Sequence, residues 1–60
     1  MISLKKHGNY KSTHYLDVFI KVVKKKNGEQ YLTVKKDNII LHEYVGNDIK
    51  NELEILEAVL

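Results

Sequence analysis

The segment from His14 to Lys24 constrains the fold most, because its aliphatic residues recur at every second position. Such alternation indicates a β-strand with one buried side, and Val, Ile, Phe and Tyr favour strands. The aliphatic side of this predicted strand consists of Leu16, Val18, Ile20 and Val22. The opposite side carries Tyr15, Asp17, Phe19, Lys21 and Val23. We therefore expect one long strand with an aliphatic side and a mixed, partly aromatic side.

The turn at Asn27-Gly28 determines how this strand pairs with the next one. A two-residue loop would place Ile20 opposite a lysine, so that an apolar face met a polar one. A three-residue loop, which adds Lys26, instead pairs Ile20 with Val34. That loop is a type I turn with a G1 bulge, which favours glycine in the left-handed conformation. Because a slip of one residue moves every side chain to the other face, the hydrophobic match predicts the three-residue loop.

The rest of the chain predicts one more strand and a helix. Lys36-Asp37-Asn38 indicates a turn, and residues 39–45 indicate a strand that is apolar on both faces. The apolar residues of the C-terminal segment recur at helical spacing: Ile49, Leu53, Leu56 and Leu60. We expect a single small domain over residues 1–60 of the α+β class. Its architecture would be an antiparallel sheet of three to four strands (a β-meander) with one C-terminal amphipathic helix packed on one face.

A single helix covers a single face of a sheet, which leaves the second face of this sheet without a cover. The aliphatic side is the natural place for the helix. Contiguous apolar surface on a small protein usually marks an interaction site, and interface cores are enriched in Tyr and Phe. We therefore predict a protein interface on the other side, formed by Tyr15, Phe19, Val23 and Tyr31.

Composition and charge limit the function further. The chain has 60 residues and no Cys, so it lacks both disulfides and thiolate metal sites. Domains this short commonly need an additional source of stability, such as a disulfide, a bound metal ion or self-association. Because the sequence offers no disulfide and no convincing metal-binding cluster, self-association is the one that remains. Residues 1–36 carry nine lysines against two carboxylates, a net +7, and residues 37–60 carry one lysine against six, a net −5. Such a chain can pair with a second copy, and we expect a homodimer.

The lysines also suggest nucleic acid as an alternative partner. Six of them cluster around the predicted hairpin: Lys21, Lys24, Lys25, Lys26, Lys35 and Lys36. Aromatic residues on a sheet flanked by lysines can stack single-stranded bases. Arg, which reads guanine edges, is absent, and the C-terminal part is acidic, so we rank nucleic acid below protein as the partner.

The sequence offers little for catalysis. The histidines, His7, His14 and His42, are separated by six and twenty-seven residues, which matches no metal-ligand signature, and we expect no cofactor. Ser12-Thr13-His14 before a sheet and Asp48-Ile49-Lys50 opening a helix resemble small ribonuclease toxins of the HicA type. That resemblance implies a catalytic His14. The chain departs from the family in lacking its N-terminal helix and in having Ser12 where the family has Gly.

These observations together favour a non-enzymatic protein-protein interaction module. Short chains of this Lys-, Asn- and Ile-rich kind resemble in general character the accessory and inhibitor proteins of phages and mobile elements. We predict a homodimeric protein of that type, which binds and blocks a larger host protein, such as one of a defence system. No signal peptide or membrane span is visible, so we predict a cytoplasmic location. A nucleic-acid-binding protein is the alternative, and a HicA-like ribonuclease the third reading.

Overall fold

The computed structural model describes residues 2–60, which form a five-stranded antiparallel sheet followed by a helix. The elements in chain order are β1 (Lys5–His7), β2 (Tyr10–Tyr15), β3 (Val18–Lys24), β4 (Gln30–Lys36), β5 (Ile39–Gly46) and α1 (Ile49–Val59). Each strand pairs only with its neighbours in sequence, so the sheet is a meander. The predicted α+β class and C-terminal helix are confirmed. The prediction of three to four strands is wrong, because there are five.

The additional strand arises because the predicted long strand is interrupted. Leu16 and Asp17 form a two-residue turn, and Tyr15 pairs with Val18 across it. Leu16 has a φ of 57°, which is unusual for a residue with a side chain, and its side chain is 71% exposed. The aliphatic side of the predicted strand therefore begins at Val18, and the segment before the turn becomes β2.

The hairpin between β3 and β4 has the register predicted from its hydrophobic match. Ile20 lies opposite Val34, and the amide of Gly28 donates to the carbonyl of Lys25 over 3.0 Å. Gly28 has a φ of 91°, as the G1 bulge requires. The amide of Lys25 in turn donates to the carbonyl of Glu29 over 2.7 Å, which closes the three-residue loop.

Two shorter turns complete the meander. Gly8 and Asn9 connect β1 to β2, and Gly8 has a φ of 67°. Asp37 and Asn38 connect β4 to β5, and both have positive φ, as in the type I′ turn that suits a two-residue hairpin. The pairing of β4 with β5 shifts register between Val34 and Lys35, which marks a β-bulge in β5.

The hydrophobic core lies between one sheet face and α1. From the strands it contains Val18, Ile20, Val22, Leu32 and Val34, and the side chain of Ile20 has no exposed surface. The helix contributes Ile49 and Leu56, and the N-terminal segment contributes Ile2. The helix thus covers the aliphatic side of the sheet, as predicted.

The junction of β5 and α1 depends on a contact between Tyr44 and the backbone. The amide of Asp48, the N-cap residue, donates to the Tyr44 hydroxyl over 3.2 Å. A Cβ atom at Gly46 would lie 2.5 Å from that hydroxyl oxygen, so a side chain at this position would displace the Tyr44 ring from its contact with Asp48. At the other end of the helix, the amide of Ile2 donates to a carboxylate oxygen of Glu57 over 3.2 Å and attaches the N-terminal segment.

The helix α1 has 11 residues. Within residues 2–60, no helix has the length and apolar character that a membrane crossing requires.

Candidate functional site

The sheet face opposite α1, which we name the open face, presents cross-strand rows of side chains. In an antiparallel pair, residues directly opposite each other point to the same side. The first row consists of His7, Tyr10, Val23, Tyr31 and Val45. The second row consists of Lys5, Ser12, Lys21, Thr33 and Glu43. The third row consists of His14, Phe19, Lys35 and Ile40.

The aromatic rings of the open face are accessible. Tyr10 is 37% exposed, and Phe19 and Tyr31 are half-buried. The rings pack in pairs with histidines: Tyr10 stacks on His7 with centroids 5.4 Å apart, and Phe19 lies 4.9 Å from His14. A partner can therefore reach flat, rigid apolar surfaces without any rearrangement of the backbone.

Lysine ammonium groups lie over two of these rings. Lys21 Nζ is 4.8 Å from the ring centroid of Tyr10, and Lys25 Nζ is 5.7 Å from that of Tyr31. Both distances fall within the range of cation–π attraction, worth about 0.5–1 kcal/mol at exposed sites. The methylene stems of such lysines also cover apolar surface while their charges stay in water. The open face thus combines aromatic rings with positive charge.

A hydrogen bond orients Tyr31 on the open face. The Tyr31 hydroxyl donates to Glu43 Oε1 over 2.6 Å, from β4 to β5. Its hydroxyl is therefore held at the β5 side, while its ring remains available at the centre of the face.

A shallow depression lies at the centre of the open face. Its apolar lining includes Phe19, Val23, Tyr31 and Ile40, and its polar lining consists of Lys21, Thr33, Lys35 and Asn38. The polar residues Lys21 and Thr33 run through the middle of the depression, with Val23 and Tyr31 on one side of them and Phe19 and Ile40 on the other.

Three of the four predicted interface residues lie together on the open face. Phe19, Val23 and Tyr31 line the depression. The placement of Tyr15 on the same face is wrong. The turn after Tyr15 pairs it with Val18, and it packs against the hydrophobic core. Our interface hypothesis therefore keeps three residues and loses the fourth.

The six predicted lysines do not form one patch. Lys21 and Lys35 lie on the open face, and Lys25 reaches Tyr31 from the hairpin tip. Lys26 lies within the turn. By strand alternation, Lys24 and Lys36 point to the opposite side of the sheet.

Lys36 forms an ion pair at the end of the sheet. Its Nζ lies 2.8 Å from Asp17 Oδ2, which joins the β2–β3 turn to the end of β4. The hydrogen bond and the charge of Lys36 lower the pKa of Asp17, and those of Asp17 raise the pKa of Lys36. This lysine therefore neutralises a carboxylate of its own chain.

Several residues of the open face were missed by the sequence analysis, among them His7, Tyr10, His14, Ile40 and Val45. Those of β1 and β2 were missed because the turn at Leu16 and Asp17 was not predicted, and those of β5 because the sequence leaves its register open. The only sequence signal for the missed turn is Asp17, a residue type that favours turns.

The histidines lie apart. His7 and His14 are on the open face, whereas His42 Nε2 lies 3.1 Å from Glu52 Oε1 of the helix. Residues 2–60 contain no group of three or more side chains placed to hold a metal ion. In the segment that resembles the HicA toxins, Ser12 and His14 share the open face, while Thr13 points to the other side.

Comparison of the chain with protein-family models, curated proteins and solved structures finds no significant match.

Proposed function

We propose that this protein is a non-enzymatic binding module whose open face docks onto a larger protein. The observation that carries this proposal is the exposure of Tyr10, Phe19 and Tyr31 on a sheet face that no described element of the chain covers. Partly exposed Tyr and Phe rings are the residue types in which interface cores are enriched, and Tyr is common among the residues that dominate binding energy.

The charges of the open face define the partner. Lys5, Lys21 and Lys35 lie in its rows with Glu43 as the only carboxylate there, and Lys25 extends from the hairpin tip. Complementary charge gives specificity and speeds association. The partner surface should therefore combine apolar side chains with Asp or Glu.

The biological role is suggested by the size and composition of the chain rather than by any single group of side chains. A short, Lys-rich module that presents one flat face suits a protein that acts by occupying a surface. We propose a cytoplasmic inhibitor or accessory protein of the phage or mobile-element type, which blocks a host protein, such as a defence protein, by covering its surface.

A capture experiment with matched variants tests this proposal. Tagged wild-type protein and the variants Phe19→Asp and Leu16→Asp would be incubated with host-cell lysate. Leu16 is apolar and 71% exposed, but it lies in a turn outside the open face, so it serves as the control. We expect the wild type and Leu16→Asp to retain the same protein, and Phe19→Asp, shown to be folded by circular dichroism, to lose it. Equal retention by all three would contradict the proposal.

A second candidate function, binding of single-stranded nucleic acid, is favoured by the lysines above Tyr10 and Tyr31. A base can stack on such a ring, worth about 1–3 kcal/mol per base, when the ammonium group that lies over the ring moves aside to contact phosphate. Fluorescence anisotropy with labelled oligothymidine and oligouridine over a salt series tests this candidate. Binding should weaken steeply with salt.

The two sides of the sheet provide the control for this candidate. The double variant Lys21→Ala/Lys35→Ala removes charge from the open face, and Lys24→Ala/Lys36→Ala removes the same charge from the other side. We expect only the first to reduce the salt slope, by about one for each phosphate that is no longer neutralised. Absence of binding at low salt, or equal effects of both variants, would eliminate nucleic acid as the ligand of the open face.

A further inference from the structure

The two edges of the sheet differ in how they are protected. β1, at one edge, has three residues, two of which are lysines. Short, lysine-bearing edges are the usual defence against pairing with other chains. β5, at the other edge, has eight residues and contains neither Lys nor Pro. At roughly 3.4 Å per residue it offers an edge about 27 Å long, with outward N–H and C=O groups at alternate residues and one interruption at the bulge beside Leu41.

Exposed apolar side chains flank this edge, whose only protecting feature among the described residues is the bulge. On the strand, Ile39 and Leu41 are more than half exposed. On the helix beside it, Val59 is 72% exposed, and Ile55 and Leu60 are also exposed. A groove of about 310 Å³ runs between β5 and α1, and most of its lining is apolar. Such a patch next to a bare edge indicates an interaction surface.

The charged groups at the groove are already engaged within the chain. His42 Nε2 contacts Glu52 Oε1 at 3.1 Å, so the helix carboxylate is held by a side chain of β5. Burial of the groove therefore does not require an unpaired carboxylate of Glu52 to enter an interface.

We propose that a second copy of this chain pairs with β5, antiparallel and about a two-fold axis, to form a ten-stranded sheet. A two-fold axis perpendicular to the sheet places both helices on one side of it. A bare peptide strand would satisfy the edge but leave Ile55 and Val59 exposed, whereas a second copy supplies both a strand and an apolar helix. An edge of this length plus the helix patch can approach the roughly 800 Å² per partner of a standard interface. Dimerisation also adds stability to a 60-residue domain, whose small core supplies little of it.

This dimer leaves the open face free and joins the two open faces into one surface. Because the axis is perpendicular to the sheet, both open faces point in the same direction. The dimer does not depend on what the open face binds, so the two proposals stand or fall separately.

The oligomeric state of matched variants tests the dimer. Val59→Lys and Leu41→Lys place a charge in the proposed dimer interface along β5 and α1, which we call the joint. Leu16→Lys places the same charge on a similarly exposed residue away from it. Molecular mass would be measured by light scattering and sedimentation across a concentration series. We expect the wild type and Leu16→Lys to be dimers of about twice 7.0 kDa. The variants in the joint should remain folded, with the dimer dissociation constant raised about tenfold or more.

Three outcomes would overturn the dimer proposal. The first is a wild type that stays monomeric at every concentration. The second is a dimer that both substitutions in the joint leave intact. The third is a dimer that only Phe19→Asp disrupts, since this result would place the joint on the open face. If a variant in the joint unfolds, amide hydrogen exchange of the wild type decides: the outward amides of β5 should be protected in a concentration-dependent way, and their exchange at the rate of a free edge would exclude the pairing.

Discussion

The two faces of the sheet are built from alternate residues of the same strands, yet they differ sharply in chemistry. The core face of β3 and β4 is aliphatic and sealed, with Ile20 and Leu32 fully buried. On the open face, the neighbouring Phe19 and Tyr31 remain half-exposed beside lysines. If the open face binds a partner as we propose, stability and recognition are carried by adjacent residues that point in opposite directions. Substitutions at neighbouring positions should separate the two properties.

The largest effect is expected at Leu32, because its side chain is fully buried under α1. Leu32→Ala should cost about 2–5 kcal/mol of unfolding free energy through reduced burial and a residual cavity. The matched change on the open face, Tyr31→Ala, should cost about 1 kcal/mol, since it removes partly exposed surface and one exposed hydrogen bond. Urea unfolding followed by circular dichroism measures both. Equal losses would mean that the open face also carries the stability of the fold.

A smaller effect separates Val18 from Leu16, which the alternation pattern alone places on the same side. Val18 is 2% exposed, so Val18→Ala should cost about 2 kcal/mol. Leu16 has positive φ and an exposed side chain, so Leu16→Gly should relieve strain and stabilise the protein by up to about 1 kcal/mol. Thermal unfolding of the two variants checks the sign of each change. A destabilised Leu16→Gly variant would contradict this prediction, because it would indicate that the Leu16 side chain makes stabilising contacts.

The smallest effect is expected from the exposed ion pair of Asp17 and Lys36. The pKa of Asp17 is lowered, so its contribution is complete above the unfolded-state pKa of about 3.9 and is lost as pH falls through the folded-state value. The raised pKa of Lys36 gives a contribution that is complete below the unfolded-state value of about 10.4 and is lost as pH rises through the folded-state value.

The variant Asp17→Asn should therefore lower the thermal midpoint slightly at neutral pH and have no such effect at pH values well below the lowered pKa of Asp17. The control Glu54→Gln removes a carboxylate from the helix instead. A difference between wild type and Asp17→Asn that persists in strong acid would show that the side chain acts through the turn rather than through its charge.

The parts of the fold that were predictable are those in which one physical preference dominates. The register of the β3–β4 hairpin follows from matching Ile20 with Val34 around a glycine that must adopt positive φ. The helix is predictable from its apolar stripe, and two residues of that stripe, Ile49 and Leu56, lie in the core. In both cases local geometry and burial favour the same arrangement.

The parts that were not predictable involve a turn without its usual residues. Leu16 adopts positive φ although Gly or Asn would do so at lower cost. The apolar alternation of the sequence runs through the turn without a break, although the turn places Tyr15 on the same face as Val18. For the candidate site, Phe19, Val23 and Tyr31 could be predicted from strand alternation. Tyr10 and the histidines could not, since their place depends on the missed hairpin. The bulge at Val34/Lys35, which places Val45 rather than Tyr44 on the open face, has no local sequence signal.

The position of α1 after all five strands has a consequence for biosynthesis. The meander can assemble as the chain emerges, because every pairing is between consecutive segments. The aliphatic side cannot be shielded until the last turns of the helix have left the ribosome. During that interval both sides of the nascent sheet expose apolar side chains. This is therefore the stage at which the chain is most accessible to chaperones and proteases.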